Sequence, residues 1–225
     1  MGWAAGSLLW FSGSAQAFWL LGFSTADTTP VGGFSAIAGT GGQYTSVGSP
    51  RQSSFTPFLP HAGFRTGLAD GWDIGYRLTQ VALPFSSVGP SLGSEIDIKH
   101  RFTDPSSPWQ MAFVVGAAYS YLEISGQSKN AWSPGADLIA SHVLSDRYTL
   151  ITELRYVYTA IPSAVGGSSR NNLSATGVDV GAKVALTPSV ALVPEIGLFD
   201  FRGSLLGLSA NGLAFQYGAV LSFRF

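Results

Sequence analysis

The last fifteen residues, Asn211–Phe225, read NGLAFQYGAVLSFRF. From Leu213 onward, the odd-numbered positions carry Leu, Phe, Tyr, Ala, Leu, Phe and Phe, whereas the even-numbered positions are mostly small or polar. Because successive side chains of a strand point to opposite faces, this stretch predicts a β-strand. One face of that strand is apolar and the other is small and polar.

The same two-residue alternation recurs along the chain and is clearest at residues 72–82, 92–102, 109–123 and 148–160. No stretch after residue 33 has a convincing helical period. With weaker segments included, the pattern predicts ten strands: 34–44, 58–69, 71–82, 92–102, 109–123, 132–144, 147–160, 173–187, 190–202 and 211–225.

Most of these strands approach the 9–11 residues that a β-strand needs to cross a bilayer. The connections alternate between short turns, such as Asp70-Gly71 and Ser145-Asp146, and longer loops, at 45–57, 83–91, 124–131, 161–172 and 203–210. Short turns at one end and longer loops at the other are typical of outer-membrane barrels. We therefore predict an all-β, transmembrane, antiparallel up-and-down β-barrel of about ten strands, with eight or twelve as alternatives, whose short turns face the periplasm.

The composition supports a surface that is not covered by water. Charged residues make up 11% of the chain, against about 25% in ordinary soluble domains. A soluble β-sandwich also alternates apolar and polar residues, but here the polar face is mostly Gly, Ala and Ser. The net charge of −1 provides no basic surface for nucleic acid, and the absence of cysteine excludes disulfides and thiol chemistry.

The N-terminus reads as an export signal. Residues 1–17 are uncharged, apolar in the middle, and end in Ala15-Gln16-Ala17, which fits a signal-peptidase site. The alternative is a retained helix, because the stretch from Trp3 to Phe23 is long enough to span a bilayer. We expect a signal peptide at 1–17, a periplasmic segment at 18–33 and a barrel at 34–225.

The final strand also carries a family resemblance. Its terminal Phe225, preceded by apolar residues at Phe223, Leu221, Ala219 and Tyr217, resembles the C-terminal signal of small bacterial outer-membrane β-barrel proteins. The resemblance implies export to the bacterial outer membrane and recognition by the barrel-assembly machinery through this strand. It implies no particular activity.

Strand parity also predicts which charged side chains point into the barrel. Buried charges are costly unless they are paired, so a balanced set suggests an internal salt-bridge network. The predicted lumen residues are Arg65, Asp73, Arg77, Glu95, Asp97, Lys99, Arg101, Asp137, Glu153, Arg155, Asp179, Lys183, Glu195 and Arg224. Two interpretations stay open: a narrow passage for small polar solutes or ions, and a plugged barrel whose charges only hold it together.

Outward aromatic residues near the strand ends predict two girdles at the membrane interfaces. Their members are Phe34, Trp72, Trp109, Trp132, Tyr148, Tyr158 and Phe225. Arg51, Lys129 and Arg170 fall in three of the longer loops and are candidates to contact lipopolysaccharide phosphates, with solvated loop charges as the alternative.

A hydrolase and an adhesin are the other functional classes. His61 is predicted to point inward near the long loops, and His100 and His142 outward near the periplasmic boundary; none has a partner in a recognisable catalytic or metal-binding motif. We therefore expect no enzyme, metal or cofactor. The longest predicted loop, 45–57, is short for an adhesin. Within predicted strand 190–202, Pro194 predicts a bulge that puts the facing of Glu195, Phe199 and Phe201 in doubt.

Overall fold

The computed structural model describes residues 21–81, 91–124, 127–161, 171–205 and 208–225. Its strands in chain order are β1 (Phe34–Val47), β2 (Gln52–Ala69), β3 (Trp72–Val81), β4 (Ser91–Arg101), β5 (Trp109–Ile124), β6 (Gln127–Val143), β7 (Tyr148–Ala160), β8 (Asn172–Thr187), β9 (Val190–Leu205), β10 (Leu208–Ser209) and β11 (Gly212–Arg224). Among the described residues, no helix is long and apolar enough to cross a membrane.

The strands close into an antiparallel barrel. Strands β1 to β9 each pair with the next along the chain, and β11 pairs with both β9 and β1. The two-residue β10 pairs with the end of β9 and continues the line of β11, so the wall has ten strands around it. The predicted ten-strand antiparallel barrel is confirmed, and closure leaves no unpaired edge among these strands.

The two ends of the barrel differ. Residues 70–71, 102–108, 144–147 and 188–189 connect the strands at one end, which we call the short-turn end. At the opposite, hairpin end, β1 and β2 stay paired as far as Val47↔Gln52, and β5 and β6 as far as Ile124↔Gln127. The predicted loops 45–57, 124–131 and 203–210 are therefore wrong over most of their length, because hairpin pairing continues to satisfy the backbone there.

These longer hairpins move the predicted loop charges. Arg51 lies in the turn between β1 and β2, and Lys129 lies in β6 rather than in a loop. Arg170 and the predicted loops 83–91 and 161–172 lie wholly or mostly outside the described residues.

The outer face of the wall is apolar and the inner face carries the charge. Along β7, Leu150, Leu154 and Tyr156 are exposed while Glu153 and Arg155 are buried. The same alternation continues around the barrel and leaves large apolar side chains such as Ile96, Phe113, Leu198 and Phe215 exposed on its outside. A closed barrel with an apolar exterior and a polar interior suits a bilayer and not water.

The expected bulge at Pro194 is wrong. Pairing between β9 and β11 runs through Ala219↔Pro194 without a register shift, and the β8–β9 register is the same on both sides of this residue. The irregularity in β8 lies instead between Ala185 and Thr187. Proline lacks only an N–H donor, so the ladder tolerates it without an extra residue. Glu195, Phe199 and Phe201 consequently all remain buried inside the barrel.

This arrangement predicts the effect of placing a charge on the outer face. Leu154 is half-exposed at the middle of the thirteen-residue β7, so L154R should lower the free energy of unfolding by about 2–4 kcal/mol, because arginine at the bilayer midplane is costly. L144R, next to the short-turn end, should cost about 0–1 kcal/mol, as near an interface. Urea unfolding in phospholipid vesicles measures both. Equal effects of the two substitutions would contradict the assignment of the lipid-facing surface.

Candidate functional site: the barrel lumen

Residues 21–30, which we call the plug, lie inside the barrel. The amide of Phe23 donates to Glu195 of β9, that of Ala26 to Ser141 of β6, and that of Thr29 to Asp73 of β3, each at 2.8 Å. These three wall strands are far apart around the barrel, so one short segment can reach all of them only from within. Leu21, Phe23 and Ala26 are accordingly buried.

This position corrects the prediction that residues 18–33 form a periplasmic segment, at least for the described part of it. The physical reason is that the plug supplies backbone partners for inward-pointing charges. Lys99 Nζ donates to the carbonyl oxygens of Thr25 at 3.0 Å and Asp27 at 2.6 Å. Arg77 donates to the carbonyl oxygens of Leu21 and Gly22 at 3.4 and 3.3 Å. Residues 1–20, including the predicted signal peptide, lie outside the described residues.

The chain enters the barrel beside β2. Val31 forms a parallel bridge with Gly67, and a side chain at position 67 would collide with the backbone of Thr29 and Pro30. Glycine is required at this close approach because it has no Cβ. The plug therefore enters at the short-turn end and runs toward the middle of the barrel.

A carboxylate of the plug closes this entrance. Asp27 accepts from Arg101 at 2.9 Å and from Arg224 at 2.8 Å. Asp27 is the only charged residue among the first fifty. That isolation is the one sequence signal that could have identified it, but strand parity says nothing about a segment that belongs to no strand.

Two groups of ion pairs lie on the inner wall, farther from the short-turn end than Asp27. In the first, Arg65 bridges Asp73 at 2.7 Å and Asp97 at 2.6 Å, and Lys99 lies 3.7 Å from Asp73. These residues belong to β2, β3 and β4, so the group ties together three neighbouring strands and, through Asp73 and Lys99, the plug.

The second group lies deeper in the barrel. Arg155 contacts Asp137 and Glu95 at 3.1 Å each and Glu153 at 3.6 Å, while Arg77 pairs with Glu95. Glu95 therefore joins Arg155 to Arg77, and Arg77 also donates to the carbonyl oxygens of Leu21 and Gly22 at the inner end of the plug. Because these groups are largely removed from water, their mutual pairing is what makes them tolerable inside the barrel.

Acidic residues are concentrated beside the inner end of the plug, near Phe23. Glu153 and Asp179 face each other directly across β7 and β8, and Glu195 lies across from Gly181 on the neighbouring strand. All three carboxyl groups are buried. Like charges opposite one another are unfavourable, so the amide of Phe23 and the guanidinium of Arg155 supply needed compensation.

The hairpin half of the lumen is divided. Apolar side chains fill one side, including Val47, Leu59, Phe199 and Phe201. On the other side, a cavity is bordered by hydroxyl and glycine residues, with charged groups at its base; its lining includes Thr79, Ser94, Ser120, Gly135, Glu95 and Arg155. The cavity and the plug thus meet at the same ion pairs.

With this geometry established, comparison with known proteins is informative about the fold. No protein-family model and no curated protein sequence matches the chain. The outer membrane protease OmpT from Escherichia coli is similar in structure, with a TM-score of 0.54 and 11% identity over 91% of this chain and 100% of OmpT. An outer membrane channel from Pseudomonas putida F1 has a TM-score of 0.52 and 11% identity over 89% of this chain and 98% of the channel.

This chain has the fold of the bacterial outer-membrane β-barrels. The predicted resemblance is confirmed at that level, and the predicted location in the outer membrane agrees with both the fold and the apolar exterior. Similarity at 11% identity concerns the fold alone, and one neighbour is a protease while the other is a channel. The function of this outer-membrane barrel depends on its own lumen residues and not on its fold.

The predicted lumen charges lie on the inner side of this outer-membrane barrel. Most of them are buried, and the most accessible is Arg224 at the entrance, whose side chain is 49% exposed. Strand parity thus predicts which charged side chains of the wall point inward. It does not predict Asp27 or the backbone groups of the plug, because these belong to no strand.

The predicted girdle residues are all exposed: Phe34, Trp72, Trp109, Trp132, Tyr148, Tyr158 and Phe225. They lie near strand ends except Trp132, which is five residues inside β6 because that strand is longer than predicted. Two of them stack on histidines of the adjacent strand, Trp72 on His100 at 4.0 Å and Trp109 on His142 at 4.2 Å between ring centroids. These histidines are therefore part of the outer aromatic surface near the short-turn end.

His61 is buried in the lumen, with its ring centroid 5.4 Å from that of Phe23 in the plug. No group of His, Cys, Asp and Glu among the described residues could hold a metal ion. That the protein is not an enzyme stays a prediction.

Arg155 offers a direct test of the lumen network. Replacing it with alanine leaves Asp137, Glu95 and Glu153 without their shared guanidinium, so R155A should lower the free energy of unfolding by about 3–5 kcal/mol. The matched control is R202A, which removes the exposed Arg202–Asp200 pair and should cost no more than about 1 kcal/mol. Urea unfolding followed by tryptophan fluorescence gives both values. If R155A cost as little as R202A, the network would not contribute to holding the barrel together.

Proposed function

We propose that this chain forms a narrow passage for small polar solutes or ions across the bacterial outer membrane, and that the plug closes the passage at its periplasmic side. The short-turn end then faces the periplasm, as predicted from the loop pattern. The observation that carries this proposal is the occupant of the lumen: it is a segment that precedes the first strand and is not part of the wall.

The size of the plug sets the size of the passage. An extended chain with its side chains has a cross-section of about 5 Å by 10 Å. Withdrawal of residues 21–30 would leave space of that order along the short-turn half of the lumen. Barrels filled only by wall side chains have about eight strands, and the ten-strand wall here has room for one additional polypeptide segment.

The wall beside this space is suited to polar solutes. Above the plug, the cavity that includes Thr79, Ser94 and Ser120 continues the polar route on one side of the hairpin half. Arg77 and Glu95 separate the two spaces, and Arg77 also holds the carbonyl groups of the plug. Departure of the plug would free Arg77 from these carbonyl groups and so loosen the barrier between the spaces.

The anchoring of the plug favours a removable closure. Its polar contacts are hydrogen bonds and ion pairs to side chains, and Leu21, Phe23 and Ala26 add apolar contacts. In the described part of the chain, it forms no ladder with the wall, and the one bridge, between Val31 and Gly67, lies just after it. Charge-assisted hydrogen bonds are each worth a few kcal/mol at most. Asp27, which closes the entrance, is one-third exposed and thus within reach of solvent.

Planar-bilayer recordings test the proposal. The full chain should conduct rarely or not at all, whereas a chain that lacks residues 18–30 should show frequent openings, because the wall stays intact while the lumen is emptied. D27N should increase the open fraction to an intermediate degree, since it removes the ion pairs with Arg101 and Arg224.

The matched control for D27N is D70N. Asp70 also approaches Arg101, at 3.9 Å, but it is fully exposed in a turn and lies outside the plug. D70N should therefore conduct like the unmodified chain. Heat-modifiable migration on detergent gels establishes that each variant is folded. A folded barrel without residues 18–30 that does not conduct would exclude a passage and leave the alternative of a permanently plugged structural barrel.

The predicted partners belong to the same proposal. Contact of the outer surface with lipopolysaccharide and recognition of the strand ending in Phe225 by the barrel-assembly machinery stay predictions. They follow from the location and do not depend on whether the lumen conducts.

A further inference from the structure

Two cavities at the short-turn end share part of their lining. One lies between the plug and the wall and is bordered by Asp27, Arg65, Lys99 and other residues. The second lies at the mouth of the barrel beside Arg147 and Ser189. Both are lined by Lys183, Ser222 and Arg224. We call the combined space the basic cleft.

The lining of the basic cleft carries more positive than negative charge. At its mouth, Arg147 and Asp146 balance each other in charge. The inner cavity is bordered by Arg65, Arg77, Lys99, Lys183 and Arg224 but by a single carboxylate, Asp27. Arg65, Arg77 and Lys99 have carboxylate partners on the wall. The excess charge therefore lies farther toward the mouth, around Lys183 and Arg224.

Lys183 is an unneutralised basic group of the inner cavity. It takes part in none of the ion pairs formed among residues 21–81, 91–124, 127–161, 171–205 and 208–225. Its ammonium group is within electrostatic range of Arg224, which repels it, and of Asp27, which attracts it. Asp27 is already shared by Arg101 and Arg224, so one carboxylate serves three cations.

Hydrogen-bond donors surround these cations. Thr149, Thr187, Ser189 and Ser222 border the mouth of the cleft. Hydroxyl groups next to a lysine and an arginine form a suitable set of donors for the oxygen atoms of a small anion, and arginine matches phosphate and carboxylate geometry especially well.

We propose that the basic cleft binds a small soluble oxyanion, of the phosphate or carboxylate class, through Lys183 and Arg224. The site lies inside the wall, so a lipid of the surrounding bilayer does not reach it, and the ligand comes from the aqueous side of the short-turn end. The anion adds negative charge to a cleft in which Asp27 and Asp146 are outnumbered by basic side chains. It also competes with Asp27 for Arg224. The site is independent of whether the lumen conducts.

Inorganic phosphate is the probe. Isothermal titration calorimetry of the full chain in a neutral detergent at low salt should show one saturable site. K183Q should weaken binding about tenfold, since it removes one charge-assisted hydrogen bond. K129Q makes the same change of net charge in β6 and should bind phosphate like the unmodified chain. K183R keeps the positive charge and should retain affinity within a few-fold, which separates loss of charge from disturbance of the fold.

The second arm uses D27N. This substitution frees Arg224 from its carboxylate and should strengthen phosphate binding several-fold, whereas a site unrelated to the plug would not respond. Absence of saturable binding to the folded full chain would overturn the proposal. So would equal weakening by K183Q and K129Q, which would indicate a general effect of net charge. Conductance is a separate measurement, so failure here leaves the proposed passage unaffected.

Discussion

Charged groups enclosed in a membrane barrel need partners, because little water is available to solvate them. The wall satisfies part of this need by pairing Arg65 with Asp73 and Asp97, and Arg155 with Asp137 and Glu95. Lys99, Arg101 and Arg77 have further donor groups that the wall does not satisfy, and these take their partners from residues 21–30. The need for partners inside the barrel thus explains why this segment lies in the lumen and not in solution.

The same constraint divides the barrel into two halves. In the hairpin half, apolar side chains such as Phe199, Phe201 and Leu59 fill one side of the lumen as a core would. In the short-turn half, the plug with its hydroxyl and carboxylate groups shares the lumen with buried apolar residues of the wall such as Ile139 and Ile151. The two halves meet where Arg77 contacts both Glu95 and the plug. Arg77 therefore links the plug to the ion pair at the base of the hairpin-side cavity.

The outer surface obeys a different constraint, set by lipid. Its apolar rows carry no ionic partners and need none, and the aromatic residues near the short-turn end include the Trp72–His100 and Trp109–His142 stacks. These pairs repeat the same arrangement on two parts of the wall, with each histidine Nδ1 lying 3.2 Å from the carbonyl oxygen of the residue before the tryptophan. Two of the three histidines that could suggest catalysis thus belong to the membrane-facing surface.

Ten strands, their inward charges and their outward aromatic residues follow from the two-residue alternation of the sequence, because strand parity is a local property that each segment carries alone. Even Pro194 left that parity unchanged, although proline is expected to disturb it. The tertiary structure alone decided what fills the lumen. Residues 21–30 have no periodicity of their own, and Asp27 finds Arg101 and Arg224 only after strands distant along the chain have closed around it. The tertiary structure also decided the lengths of the strands at the hairpin end, since pairing there depends on the partner strand and not on hydropathy.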